Sequence, residues 1–145
     1  MRGRTLGNGA VIAAVLLTLA GLGVAIANAA TNDGGNECAD VFLTTDPAGD
    51  AVGSLCTAVD ADGTALSGVS LTFTASSACS GSVLLRVSGM DSTGAEFATA
   101  EQASCGSGKA TASFKPASKI TPDTFLCGTL LSDKYTTAQA CVAVA

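Results

Sequence analysis

The 145-residue chain contains no histidine and no tryptophan, one tyrosine and only seven basic residues. Without histidine, neither a Ser-His-Asp nor a Cys-His nucleophile system can be assembled, and the side chain that most often moves protons near neutral pH is missing. The six cysteines include no C-x-x-C pair, which together with the absent histidine argues against zinc sites and thioredoxin-like redox motifs. No metal and no cofactor is expected. With Tyr135 the one tyrosine, the aromatic platforms on which sugars stack are lacking too. Carboxylates such as Asp40, Asp46, Asp50, Asp60, Asp62, Glu96 and Glu101 therefore lack the surroundings of a glycosidase cleft. Serine–lysine pairs exist at Ser132 with Lys134 and at Ser107 with Lys109, but both fall in turn-like, water-exposed sequence. The expectation is a protein that is not an enzyme.

Two of the scarce basic residues, Arg2 and Arg4, head a segment with no acidic residue, and residues 11–27 contain only Val, Ile, Leu, Ala and Gly apart from Thr18. The segment ends in Ala27-Asn28-Ala29, with small residues at the two positions a signal peptidase must fit. Residues 1–29 are expected to be a signal peptide cleaved after Ala29. Seventeen uncharged residues stand at the lower limit for a membrane span, and Gly21, Gly23 and the closing Ala-Asn-Ala favour cleavage over retention. No cysteine precedes Cys38 to carry a lipid. The expected mature chain has 116 residues, one domain's worth, with five basic residues against twelve acidic ones and hence a net charge of −7. Such a surface disfavours nucleic acid and anionic membranes. A secreted, extracellular protein is expected, with an extracellular protein or a cell-surface component as its partner.

All six cysteines, Cys38, Cys56, Cys79, Cys105, Cys127 and Cys141, lie in the exported part, which points to three structural disulfides. Turn-forming sequences at Asp46-Pro47-Ala48-Gly49, Asp91-Ser92-Thr93-Gly94 and Ser132-Asp133-Lys134-Tyr135 favour one of the fifteen possible pairings. A hairpin folded about each turn pairs residues whose numbers sum to 95, 185 and 267, and the sequential cysteine pairs sum to 94, 184 and 268. Around the cysteines run short Val-, Thr-, Leu- and Phe-rich stretches. The clearest alternates over 69–75, with Val69, Leu71 and Phe73 on one face and Ser70, Thr72 and Thr74 on the other. Two more put Val83, Leu85 and Val87, and Ala110, Ala112 and Phe114, inside. Eight strands are predicted, near 39–45, 52–59, 69–75, 83–88, 95–101, 110–115, 124–131 and 136–144. The last is ambiguous with helix, because alanine is the strongest helix former. The strand count and spacing predict an all-β, antiparallel, immunoglobulin-like β-sandwich over 38–145, after a flexible lead at 30–37.

The Ala-, Gly- and Thr-rich composition, with its signal segment, is similar to that of small proteins exported by high-GC Gram-positive bacteria, and this resemblance implies a disulfide-stapled sandwich of bacterial origin. Neither cysteine spacing nor any motif aligns with the secreted subtilisin-inhibitor or enediyne-carrier types. Asp60-Ala61-Asp62-Gly63 starts like a calcium loop, but Leu71 stands where an EF-hand needs a glutamate, so a turn is expected there. The most distinctive loop is 115–123. Pro116 and Pro122 hold it extended, and Lys115, Lys119 and Ile120 could be presented to solvent as a substrate-like inhibitor presents its scissile bond. Two functions are thus expected: a non-enzymatic extracellular binding or structural module or, as the alternative, an inhibitor of a secreted protease acting through that loop.

Overall fold

A computed structural model describes residues 25–28, 35–62, 65–115, 120–121 and 123–144. Among these residues the fold is all-β, with nine strands: β1 Ala25–Asn28, β2 Gly35–Val41, β3 Gly53–Asp62, β4 Ala65–Ala75, β5 Ser82–Met90, β6 Glu96–Ser104, β7 Lys109–Phe114, β8 Thr124–Leu131 and β9 Ala138–Val144. They form two facing sheets. One has the order β2-β3-β4-β7 and is antiparallel throughout; the other has β9-β8-β5-β6 antiparallel, with β1 added in parallel on β9.

Strands β2 to β9 correspond one for one to the eight predicted runs, and their edges differ where the apolar pattern is weakest. β2 starts at Gly35, inside the segment expected as a flexible lead, because Gly35, Asn36 and Glu37 continue the ladder with Val59, Ala58 and Thr57. No apolar alternation marks those residues; pairing with β3 recruits them. β1 falls inside the expected signal segment and pairs Ala25 to Asn28 with Ala138 to Cys141. The ambiguous alanine-rich end is strand, since its residues pair with β8 from Leu130↔Ala138 to Thr124↔Val144. Tertiary pairing overrides alanine's helix preference there.

Alternation builds the core. Val69, Leu71 and Phe73 of β4, Val83, Leu85 and Val87 of β5, and Ala110, Ala112 and Phe114 of β7 are all buried. They meet Leu55 of β3, Leu126 and Leu130 of β8 and Val142 and Val144 of β9 between the sheets. Tyr135 closes one end, its ring centroid 4.8 Å from that of Phe73. Gly128 of β8 packs directly against the facing sheet. A Cβ at that position would lie 2.2 Å from Thr57 Oγ1 and 2.3 Å from a Leu71 methyl, so glycine is required there. The space it leaves admits the buried Thr57, whose hydroxyl crosses between sheets to donate a 2.9 Å hydrogen bond to the Ala140 carbonyl. A buried hydroxyl needs such a partner, because losing its hydration unpaired costs about 1–3 kcal/mol.

The disulfides join Cys38 to Cys56, Cys79 to Cys105 and Cys127 to Cys141, the sequential set. Cys38↔Cys56 and Cys127↔Cys141 are directly opposed in the β2–β3 and β8–β9 ladders. Cys79–Cys105 closes the open end of the β5–β6 hairpin, just beyond the Ser82↔Ser104 pair. Each bridge therefore lies within one hairpin, and none ties one sheet to the other. Inter-sheet cohesion rests on the apolar core, on Thr57 and on the backbone hydrogen bonds that join residues 42–44 to 134–136.

Candidate functional site

Adjacent apolar residues on a strand must point to opposite faces, and β5 and β8 each carry such a pair. In Leu84-Leu85 and Phe125-Leu126 the second member is buried and the first stands outside. Met90, at the end of β5, lies on the same outer row as Leu84, Arg86 and Ser88. Leu84, Met90 and Phe125, at 38, 39 and 48 % exposure, are the large hydrophobic side chains left exposed among the described residues. All three belong to the outer face of one sheet.

Two of them, Met90 and Phe125, border an open depression of about 660 Å³, with Arg86, Ser88, Phe97 and Ala98 and the disulfide-bonded Cys127 also at its walls. Glu96 and Asp123 place carboxylates around it and Arg86 one guanidinium. The mouth is wide. This is an amphipathic surface, apolar at Met90, Phe125 and the disulfide and charged around them, suited to holding an apolar group with a polar edge.

The depression is shaped by the turns at its ends. At the β5–β6 turn, Asp91 Oδ1 accepts hydrogen bonds from Thr93 N at 2.8 Å, Thr93 Oγ1 at 2.6 Å and Ala95 N at 3.1 Å. The Thr93 hydroxyl bond, foremost, with the backbone bonds from Thr93 and Ala95, holds the Asp91 carboxyl below its ordinary pKa. Gly94 completes the turn with φ of +80°. From the other side, Ile120 forms an isolated bridge to Asp91, and the Thr121 amide donates to the Met90 carbonyl at 3.2 Å. The Thr121 hydroxyl also donates to the Asp91 carbonyl, and that of Thr124 to the Thr121 carbonyl at 2.6 Å.

Ile120 corrects one expectation. It is 1 % exposed and packs in the core, because an apolar side chain anchoring the entry to β8 gains more from burial than from presentation to solvent. Lys115 is exposed just beyond β7, while Pro116, Lys119 and Pro122 lie outside the described residues. Phe73 and Phe114 are buried as expected, and Phe125 faces out.

The two serine–lysine pairs have other occupations. Ser107 and Gly108 have φ of 51° and 77°, and Gly106 and Lys109 exchange backbone hydrogen bonds of 2.8 and 2.9 Å across them, forming a tight two-residue turn. Ser132 Oγ accepts from the Lys134 amide at 3.2 Å, and the Lys134 ammonium lies 5.4 Å from the Tyr135 ring centroid. Asp60 and Asp62 lie on either side of a bulge between Asp60 and Ala61 at the end of β3. A second depression, of about 600 Å³, lies over β3, β4 and β7 between Asp60 and Lys115, and small residues such as Ala58, Ser70 and Ser113 form much of its lining. Comparison with family models, with curated proteins and with solved structures finds no match.

Proposed function

We propose that this protein is a secreted, non-enzymatic binding module that holds an extracellular protein or a cell-surface component on the outer face of its β9-β8-β5-β6 sheet. The observation that carries this reading is the gathering of Leu84, Met90 and Phe125 on that one face, two of them around the amphipathic depression. Exposed apolar side chains scattered singly need no explanation, whereas a cluster rimmed by charge marks an interaction surface. Three intramolecular disulfides are typical of extracellular proteins and support an exported location.

The strand order also supports the immunoglobulin-like reading. β3, β4 and β7 follow the order A-B-E, and β6-β5-β8-β9 the order C′-C-F-G, with β2 added ahead of the first strand. The protease-inhibitor alternative fits less well, since a substrate-like loop needs both residues of its scissile bond in solvent and Ile120 is in the core. The test is saturable binding of fluorescently labelled protein to the surface fraction of the exporting cells. Phe125→Asp should weaken binding at least about tenfold by desolvating a charge at the centre of the contact. Thr111→Asp, on the outer face of the other sheet, should leave it unchanged. Equal binding by both variants would refute the assignment of the face.

A further inference from the structure

Each sheet of an open sandwich ends in edge strands, and an edge is a row of unpaired N–H and C=O groups that another strand can join unless charge, proline or a bulge guards it. Three edges here are guarded. β2 carries Glu37 and Asp40, β6 carries Glu96 and Glu101, and β7 carries Lys109 with Lys115 just beyond. The fourth edge is β9. Ala138–Val144 has no charged residue and no proline, and it is covered by β1, which reaches only from Ala138 to Cys141.

The backbone geometry says which groups that edge offers. Cys127 and Cys141 are directly opposed with their Cα atoms 4.0 Å apart, the close spacing of a non-hydrogen-bonded antiparallel pair. The N–H and C=O of Cys141 therefore point away from β8, as do those of Gln139 and Ala143 two residues on either side. Cleavage after Ala29 would carry β1 away with the signal segment and leave all three positions without it.

We propose that the occupant of this edge in the mature protein is the β9 strand of a second copy, paired antiparallel about a two-fold axis at Cys141. This rests on the cleavage reading above and goes beyond the proposed binding face. The sequence is compatible with its own reversal there. The two-fold sets Gln139 against Ala143 of the other copy, Ala140 against Val142 and Ala138 against Val144, so every outward backbone group meets a complementary one and no like charges oppose each other within the new ladder. The resulting sheet runs continuously through both copies. Guarding charges do come together on the neighbouring β2 edges, and each copy carries a net charge of −7 once residues 1–29 are removed. The dimer should therefore tighten as ionic strength rises.

The test uses the exported chain, its N-terminus first confirmed at Ala30 by mass, in sedimentation equilibrium over a range of concentrations. A monomer–dimer equilibrium is expected, with the amides of Gln139, Cys141 and Ala143 exchanging hydrogen more slowly as concentration rises. Ala143→Pro removes one edge donor per copy without touching the β8 ladder, and should raise the dimer dissociation constant about thirtyfold. Because a proline can also perturb the strand, a peptide of residues 24–30 is added to the unaltered protein as an independent competitor and should dissociate the dimer. A chain that stays monomeric at every concentration, or a dimer whose three amides exchange as fast as in the monomer, would overturn the proposal. A chain found to start at Met1 would instead overturn the cleavage reading on which it rests.

Discussion

Replacing Gly128 with alanine pits two physical effects against each other. Backbone preference alone makes the change favourable, because glycine in a strand interior loses more conformational freedom than alanine by roughly 0.5–1 kcal/mol. Packing predicts the opposite. The new methyl would sit 2.2 Å from Thr57 Oγ1 and 2.3 Å from a Leu71 Cδ, less than any real carbon contact, in the filled space between the two sheets. Forcing a methyl group into a filled core costs about 1–3 kcal/mol. If Thr57 turns aside to make room, its 2.9 Å bond to the Ala140 carbonyl is lost inside the core, which adds about 1–3 kcal/mol for the unsatisfied hydroxyl. The preference term offsets only part of this, so a net loss of about 2–4 kcal/mol is expected. The assay is urea unfolding of the oxidised protein, followed by far-UV circular dichroism and by the fluorescence of Tyr135. Gly106→Ala is the control, since a Cβ there meets nothing within 4 Å, and it should fall within about 0.5 kcal/mol of the unaltered protein. Adding Thr57→Ala to Gly128→Ala should cost less than the sum of the two alone, because the hydroxyl and the new methyl compete for one space. A Gly128→Ala loss below about 1 kcal/mol, or strict additivity, would show that the sheets are not in contact there.

Four further outcomes are expected. Because Asp91 is held below its ordinary pKa by hydrogen bonds to its ionised form, its contribution to stability is complete above the unfolded-state pKa and is lost as pH falls through the lower folded value. Thr93→Ala should raise the Asp91 titration midpoint seen by carboxyl NMR toward the ordinary range; an unmoved midpoint would mean that another group sets it. Titration with a phosphine reductant should open Cys38–Cys56 before Cys127–Cys141, since Cys38 is exposed and Cys141 buried, and mass spectrometry of trapped intermediates reads the order. Loops of 14 to 26 residues contribute about 3 kcal/mol each in the chain-entropy model. Full reduction should accordingly abolish the strand signal, and a reduced chain that keeps it would show that the core suffices. Lastly, stoichiometric protein should leave trypsin-like and subtilisin-like proteases active; loss of activity that disappears with Lys119→Ala would restore the inhibitor reading.

Much of the fold was legible because hydrophobic period and turn chemistry agree. Val69 to Phe73 and Val83 to Val87 alternate cleanly, and the turn centres bring the cysteines of each hairpin to within one position of register. The 132–135 turn brings Cys127 to within one position of Cys141, and the β8–β9 ladder sets the two directly opposite. What escaped the sequence were choices made by tertiary neighbours. Alanine-rich β9 has no decisive period of its own, and β8 decides its conformation. Gly35 to Glu37 enter a strand with no apolar signal, through ladder hydrogen bonds alone. Ile120 lies in a segment whose prolines announce an extended loop, yet prolines do not say which side chain turns inward. The exposed apolar side chains of β5 and β8 were partly announced. Leu84-Leu85 and Phe125-Leu126 each require one apolar side chain outside; the alternation of Val83, Leu85 and Val87 already sends Leu84 out, whereas for Phe125 the sheet settles it. Gly128 carried no signal, since its role lies in the partners across the core, Thr57 and Leu71.

Intact mass spectrometry of the protein recovered from culture medium, before and after reduction, tests most directly whether the chain is an exported, oxidised domain. The expected result is a mature chain beginning at Ala30, lighter by six hydrogens than its reduced form, whose peptides carry the Cys38–Cys56, Cys79–Cys105 and Cys127–Cys141 links. Protein found only in membranes with Met1 retained, or recovered with free thiols, would contradict it.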